Sequence, residues 1–127
     1  MTSKRNDLIR MLALNEIGDD YENFEHISNR VVPQGAECGI EVRQEEVEKA
    51  LQELLELGLA KAYRLSHTAA TPLDGMPPAS WYLMRPDEWY YFYATKAGLR
   101  LLTADWDWDG WPYDENGTLR PDWSPPR

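Results

Sequence analysis

The chain has 127 residues, of which 43% are hydrophobic, so it is close to the usual size of a single domain with one packed core. Its 13 basic and 22 acidic side chains leave a formal net charge of -9, which opposes nonspecific attraction to nucleic acid or to anionic lipid. A lone cysteine excludes an intramolecular disulfide. Because no apolar run has membrane-spanning length and the N-terminus lacks a secretory signal core, we expect a cytoplasmic protein without membrane contact.

Two helices are predicted in the first third of the chain. Residues 7–18 carry apolar side chains at mostly helical spacing and end in a glycine, which predicts the first helix. A second helix is expected to open after Asp19, because Glu22 follows at the spacing of a capping box. Pro33 and Gly35 are expected to end it.

The third predicted helix has the clearest pattern. Over Val42–Leu57, apolar residues recur at i, i+3, i+4, i+7 and i+8, and Gly58 is positioned to close the helix. Residues 59–65 then alternate apolar side chains with polar or smaller ones, which predicts a strand directly after the helix.

A second strand and a final helix are predicted further along. The run Trp89–Ala94 is almost wholly aromatic and indicates a strand, after which Thr95 is positioned to cap a short helix over Lys96–Leu102. The chain between the strands includes a Pro-rich loop, residues 67–80, whose order the sequence leaves open. A short strand at Trp81–Met84 is a further candidate.

The order helix, helix, helix, strand, strand, helix resembles a winged-helix domain. Two segments carry the resemblance: VEKALQELLELGLAKAY, a third helix running into a wing strand, and YYFYATKAGLRLL, a second wing strand turning into a helix. Both are similar to segments of bacterial regulators of the MarR and PadR types. The resemblance implies an α+β fold, with three helices, a β-hairpin wing and a short following helix, in a domain covering residues 1–104.

In DNA-binding winged helices, the third helix enters the major groove. Between Glu41 and Glu56 the chain carries six acidic and two basic residues, so we expect an exposed face that is net negative and repels phosphates. Arg43 and Gln44 favour the opposite, since Arg pairs with guanine and Gln with adenine. If the chain binds DNA, the predicted contacts are Arg30, Arg43, Gln44, Lys49, Lys61, Arg64 and Arg85. Ordinary solvated charges beside a core helix are the favoured alternative.

The last segment, residues 105–127, differs in composition from the rest. It holds four of the six tryptophans among acidic residues, and its charge is -4. Because Trp side chains bury large areas and are enriched at interfaces, we expect this tail to pack on the domain, on a second copy or on a partner. The predicted interaction surface consists of Trp106, Trp108, Trp111, Tyr113 and Trp123.

Within the tail, the alternating carboxylates of Asp105–Gly110 match the opening of a calcium loop. The match is incomplete, because Asn116 stands at the twelfth position, where an EF-hand has Glu, and no exiting helix follows. A solvated acidic segment is the favoured alternative, and no metal site is predicted. Asn116-Gly117 favours a two-residue hairpin turn instead.

The residues that usually carry catalysis are sparse. Cys38 is the only cysteine, and a thiolate paired with His26 is less expected than a buried, inert side chain. Ser66 and His67 are adjacent, so on a strand they would point to opposite faces. With no Gly-rich phosphate loop, CxxC pair or HExxH, we predict no enzyme and no cofactor.

Three functional hypotheses follow, in decreasing order of preference. The first is a regulatory module that binds a protein partner or a second copy, a homodimer forming through the first helix or the tail. The second is a DNA-binding transcriptional regulator of the MarR or PadR type. The third is a calcium-binding protein, or a small-ligand protein with a pocket lined by residues 90–93 and the tail tryptophans.

Overall fold

The computed structural model describes residues 4–65, 68–77, 89–104 and 111–126. Within these ranges the fold is α+β, with four helices and one small antiparallel sheet. In chain order the elements are α1 (Lys4–Glu16), α2 (Phe24–Glu37), α3 (Gln44–Glu56), β1 (Ala60–Leu65), β2 (Ala70–Pro72), β3 (Trp89–Ala94) and α4 (Lys96–Ala104). The strand order is β2-β1-β3. The predicted strand at 81–84 and Arg85 lie outside the described residues.

The start of α2 differs from the predicted one. The expected cap at Asp19 is wrong, because the backbone of Glu22 pairs with Phe92 of β3 in an antiparallel bridge and is therefore not helical. Asn23 caps the helix instead, its Oδ1 accepting a hydrogen bond from the backbone N–H of His26 at 2.8 Å. A tertiary contact with the sheet thus moves the helix start by several residues.

The predicted end of α2 is also wrong, since Pro33 lies inside the helix. The Pro33 side chain is exposed, whereas Val31 and Gly35, two residues to either side, are buried. Packing of the helix on the core therefore outweighs the loss of one helical backbone hydrogen bond at the proline. Gly35 is not a terminator. A Cβ there would lie 2.4 Å from Cγ2 of Val42, so the glycine allows the chain after α2 to pass close to the helix.

The remaining helices, β1 and β3 follow the predicted pattern, whereas β2 was not predicted, because it lies in the stretch expected to be a Pro-rich loop. Gly58 has a φ of 73° and ends α3. Thr95 caps α4, accepting a bond from Gly98 N at 3.2 Å, and its hydroxyl also donates to the Gly58 carbonyl at 2.6 Å. The end of α3 and the start of α4 are therefore held together by one threonine.

The core lies between the helices and one face of the sheet. Ala62 and its cross-strand partner Phe92 point inward and are buried, while Tyr63 and its partner Tyr91 belong to the opposite face. The aromatic residues 90–93 therefore alternate between two faces, and they do not line one common pocket. The largest fully buried aliphatic side chains are Leu8, Ile9, Leu12, Leu14, Ile17, Ile27, Val31, Val47, Leu51 and Leu54.

The described part of the tail, residues 111–126, packs on this core. Trp111 is 5% exposed and belongs to the same buried cluster as the helices. Tyr113 and Leu119 form an isolated antiparallel bridge. The turn between them differs from the predicted two-residue Asn-Gly turn: Gly117 N donates to Asp114 O and Asp114 N to Thr118 O, which leaves a three-residue loop with Gly117 at a φ of 76°.

Candidate functional site

The helix α3 has three distinct sides. Val47, Ala50, Leu51 and Leu54 are buried against the core. A second side faces α1 and carries two of the six acidic residues of the segment from Glu41 to Glu56. The third side, called here the outward side, consists of Glu45, Glu48, Lys49, Gln52 and Glu56, which recur at helical spacing opposite the buried stripe.

On the side that faces α1, Glu46 is tied to Arg5. Arg5 Nε donates to Glu46 Oε2 at 3.1 Å, and its Nη2 donates to Oε1 at 2.9 Å, a bidentate pair. The guanidinium also donates to the backbone carbonyl of Glu41, and Glu46 Oε1 accepts from Arg43 N at 3.1 Å. The bond with Arg5 holds the pKa of the Glu46 carboxyl below its usual value. This carboxylate is therefore committed to structure.

A second arginine of α1 neutralises Glu53. Arg10 Nη1 lies 3.1 Å from Glu53 Oε2, and the same guanidinium pairs with Asp7 of its own helix. Glu46 and Glu53 therefore face α1, and arginines of that helix offset the charges of these two acids.

The outward side of α3 keeps an excess of negative charge. Glu45 and Glu56 are exposed, Glu48 is half-buried, and no ion pair among the described residues includes any of the three. The basic member of this side, Lys49, is exposed, and its Nζ lies 3.9 Å from Glu53. The surface therefore attracts cations more than it attracts phosphates.

The predicted DNA contacts are distributed over several elements. Arg43 and Gln44 are exposed at the start of α3, and Lys61 and Arg64 lie on β1. Arg30 is exposed on α2, where its Nε lies 3.7 Å from Glu16. The structure thus groups the α3 residues with one another and places Arg30 on a different helix.

A groove between α3 and the sheet was not predicted. It has a volume of about 310 Å³, and its aliphatic lining comes from Leu55 of α3, Ala60 and Ala62 of β1, and Leu73 after β2. Asp74 also lines it. Leu73 N donates to the Ala62 carbonyl at 2.9 Å, which fixes this wall. Sequence reasoning missed the groove because Leu73 lies in the Pro-rich stretch, where no periodicity indicated a packed residue.

The described tail residues of the predicted interaction surface contact the domain itself. Trp111 is buried, and its ring packs edge-on against Tyr113 with centroids 5.9 Å apart. Trp123 Nε1 donates to the Cys38 carbonyl at 2.9 Å, and Pro125 lies against Gly39. Trp106 and Trp108 lie outside the described residues.

The cysteine is buried beside the tail. Cys38 Sγ lies 3.7 Å from the hydroxyl oxygen of Tyr113, and burial raises the pKa of the thiol. His26 instead lies 3.3 Å from Glu22, so the considered pairing of Cys38 with His26 is not formed. A protonated, covered thiol is a poor nucleophile. The adjacent Ser66 and His67 lie outside the described residues.

The described ranges contain neither a metal-binding cluster nor a membrane-spanning helix. No group of three or more His, Cys, Asp or Glu residues there is arranged to hold a metal ion. The Asp105–Gly110 run lies outside those ranges. No helix of the described chain combines the length and apolar character needed to cross a membrane.

Comparisons of the chain with protein-family models, with curated proteins and with solved structures found no match.

Proposed function

We propose that this chain is a non-enzymatic winged-helix regulatory module of the cytoplasm that contacts protein rather than DNA. The order of its elements supports the fold assignment, since three helices precede an antiparallel pair of strands and a short helix. The bridge between Glu22 and Phe92 adds support, because it joins the segment between α1 and α2 to the edge of the sheet. The outward side of α3 is the proposed contact surface.

The observation that carries this proposal is the charge of that side. Glu45, Glu48 and Glu56 of α3 have no basic partner among the described residues. Two other acids of α3 are paired with arginines of α1. Most DNA affinity comes from replacing the counterions around phosphates with Lys and Arg. A helix that presents carboxylates at the same place loses this contribution and adds repulsion, whereas a basic protein surface would be attracted.

A DNA-binding regulator is the second candidate, and a specific arrangement favours it. Arg43 and Gln44 are exposed in the first turn of α3, where base-reading residues lie in DNA-binding winged helices. Because Glu46 and Glu53 are paired with arginines of α1, these two acids also contribute less to the repulsion of DNA phosphates. Under this hypothesis Lys61 and Arg64 contact the phosphate backbone of the DNA.

A titration against fluorescein-labelled mixed genomic DNA fragments, followed by anisotropy at low and at physiological salt, tests the proposal. We expect no binding at either salt concentration. Salt-sensitive binding that is lost in Arg43→Ala and retained in Lys96→Ala would overturn the proposal and establish the second candidate. Lys96 is the matched control because it is an exposed cation on α4, outside the predicted contact set.

A further inference from the structure

The groove beside α3 continues one stripe of that helix. Glu48, Gln52 and Leu55 lie at i, i+4 and i+7, so they follow one another along the same side. Leu55 lines the groove, and Glu48 lies two turns before it. At a rise of about 1.5 Å per residue, Glu48 and the groove residue Leu55 are therefore about 10 Å apart along the helix axis.

We infer that this stripe and groove bind a basic segment of another protein that carries a leucine-sized side chain. The inference rests on the proposed function and specifies its partner class. The apolar side chain occupies the space between Leu55 and Leu73, and a Lys or Arg of the same segment lies against Glu48. Since an extended chain advances about 3.3 Å per residue, the basic and the apolar residue of the segment are about three positions apart.

Charge complementarity selects this occupant over an acidic or neutral one. Glu45 and Glu48 flank the approach along α3, and Asp74 is an exposed carboxylate among the groove residues. Lys61 lines the groove and Lys49 lies on the outward side of α3, so the three glutamates of that side together with Asp74 outnumber the bases by four to two. Leu57 is 58% exposed near the same end of α3 but does not line the groove, which makes it a useful control position.

The test is a titration of the ¹⁵N-labelled full chain with the peptide acetyl-Arg-Arg-Ala-Ala-Leu-amide, followed by amide chemical shifts. We expect saturable shifts centred on Glu48, Leu55 and Leu73, with a dissociation constant in the millimolar range that is typical of so short a ligand. A peptide with Ser in place of Leu, and one with Glu in place of both Arg residues, should each bind at least about fivefold more weakly, the loss expected for one partly buried aliphatic side chain or one ion pair.

Matched variants separate the groove from general attraction to an acidic protein. Leu73→Ala and Glu48→Gln should each weaken binding about threefold to fivefold, whereas Leu57→Ala and Glu25→Gln should leave it unchanged. Glu25 is an exposed carboxylate in the first turn of α2. The Glu48 variant keeps the test valid if Leu73→Ala disturbs the fold, which the dispersion of the spectrum reports.

Three outcomes of the peptide titrations would overturn the inference: no saturable shifts, equal shifts with the Ser peptide, or equal weakening by the control variants. Shifts of the same amides that depend on protein concentration without peptide would also overturn it, because a second copy would then occupy the groove. If the peptide fails and DNA also does not bind, only the groove assignment is lost. Salt-sensitive DNA binding would instead remove the proposed function.

Discussion

Replacement of Trp111 by Ala measures how strongly the tail is bound to the core. The indole is 5% exposed, belongs to the main hydrophobic cluster and packs against the ring of Tyr113. Truncation of a buried Trp to Ala costs about 3 to 5 kcal/mol, because apolar burial is lost and a cavity remains. Since a domain of this size has a stability of about 5 to 15 kcal/mol, Trp111→Ala should remove about a fifth of it or more.

The assay is urea unfolding at pH 7 followed by far-ultraviolet circular dichroism, because the substitution itself removes a fluorophore. Thermal melting should show a decrease in Tm of about 10 to 20 °C for a loss of that size. Trp123→Phe is the matched comparison. It keeps an aromatic ring and removes the N–H that donates to the Cys38 carbonyl, so it should cost about 1 kcal/mol.

If Trp111→Ala lowers the free energy of unfolding by less than about 1 kcal/mol, this reasoning is refuted. So small a loss is expected only for a side chain that contributes little buried area. The same conclusion would follow if the two variants were equally destabilised. A large loss with a single cooperative transition would show that residues 111–126 unfold together with the helices.

Three further predictions concern the α1–α3 pair, one close glycine contact and the buried thiol. Glu46→Gln should cost about 1 kcal/mol at pH 7, since its pair with Arg5 is partly exposed. The folded-state pKa of Glu46 is lowered, so this contribution is present above its ordinary value of 4.5 and is lost as the pH falls through the lower, folded-state value. Urea midpoints of the wild type and the variant should therefore converge as the pH falls below 4.5, and a difference that stays constant with pH would contradict the assignment. A Cβ at Gly98 would lie 2.1 Å from a backbone carbonyl oxygen, so Gly98→Ala should cost about 2 to 3 kcal/mol or more in the same assay, against less than about 0.5 for the uncrowded control Gly75→Ala. Equal costs would show that the close approach is relieved without strain. The Cys38 thiol, whose pKa burial raises, should react with a disulfide reagent at pH 8 much more slowly in the native protein than in urea. Native reaction at the rate of a free thiol would contradict its burial.

The elements that could be predicted are those specified by local patterns. The periodic apolar residues of α3 located it to within two residues at each end, and Gly58 ends it as expected. The aromatic run matched β3, and Thr95 caps α4 as predicted. Each of these signals acts over a few neighbouring residues, through helical or strand spacing and through a cap, so the sequence states it directly.

The ends of α2 were mispredicted because contacts distant in sequence outweigh local signals there. The capping-box spacing after Asp19 does not start a helix, because the backbone of Glu22 pairs with Phe92 of the sheet. Pro33, a usual helix breaker, is tolerated on an exposed side while its neighbours are buried. Local propensity is a weak constraint when core packing favours another arrangement.

The sequence by itself determined the apolar spacing, the α+β content and the excess of acidic residues on the third helix. Only the tertiary structure decided which of those acids remain available. Arg5 and Glu46 are 41 residues apart, Arg10 and Glu53 are 43 apart, and Trp123 meets the Cys38 carbonyl across 85 residues. Spacing along the chain specifies which side of a helix a residue occupies, but the element that packs against that side is set by the folding of the whole core.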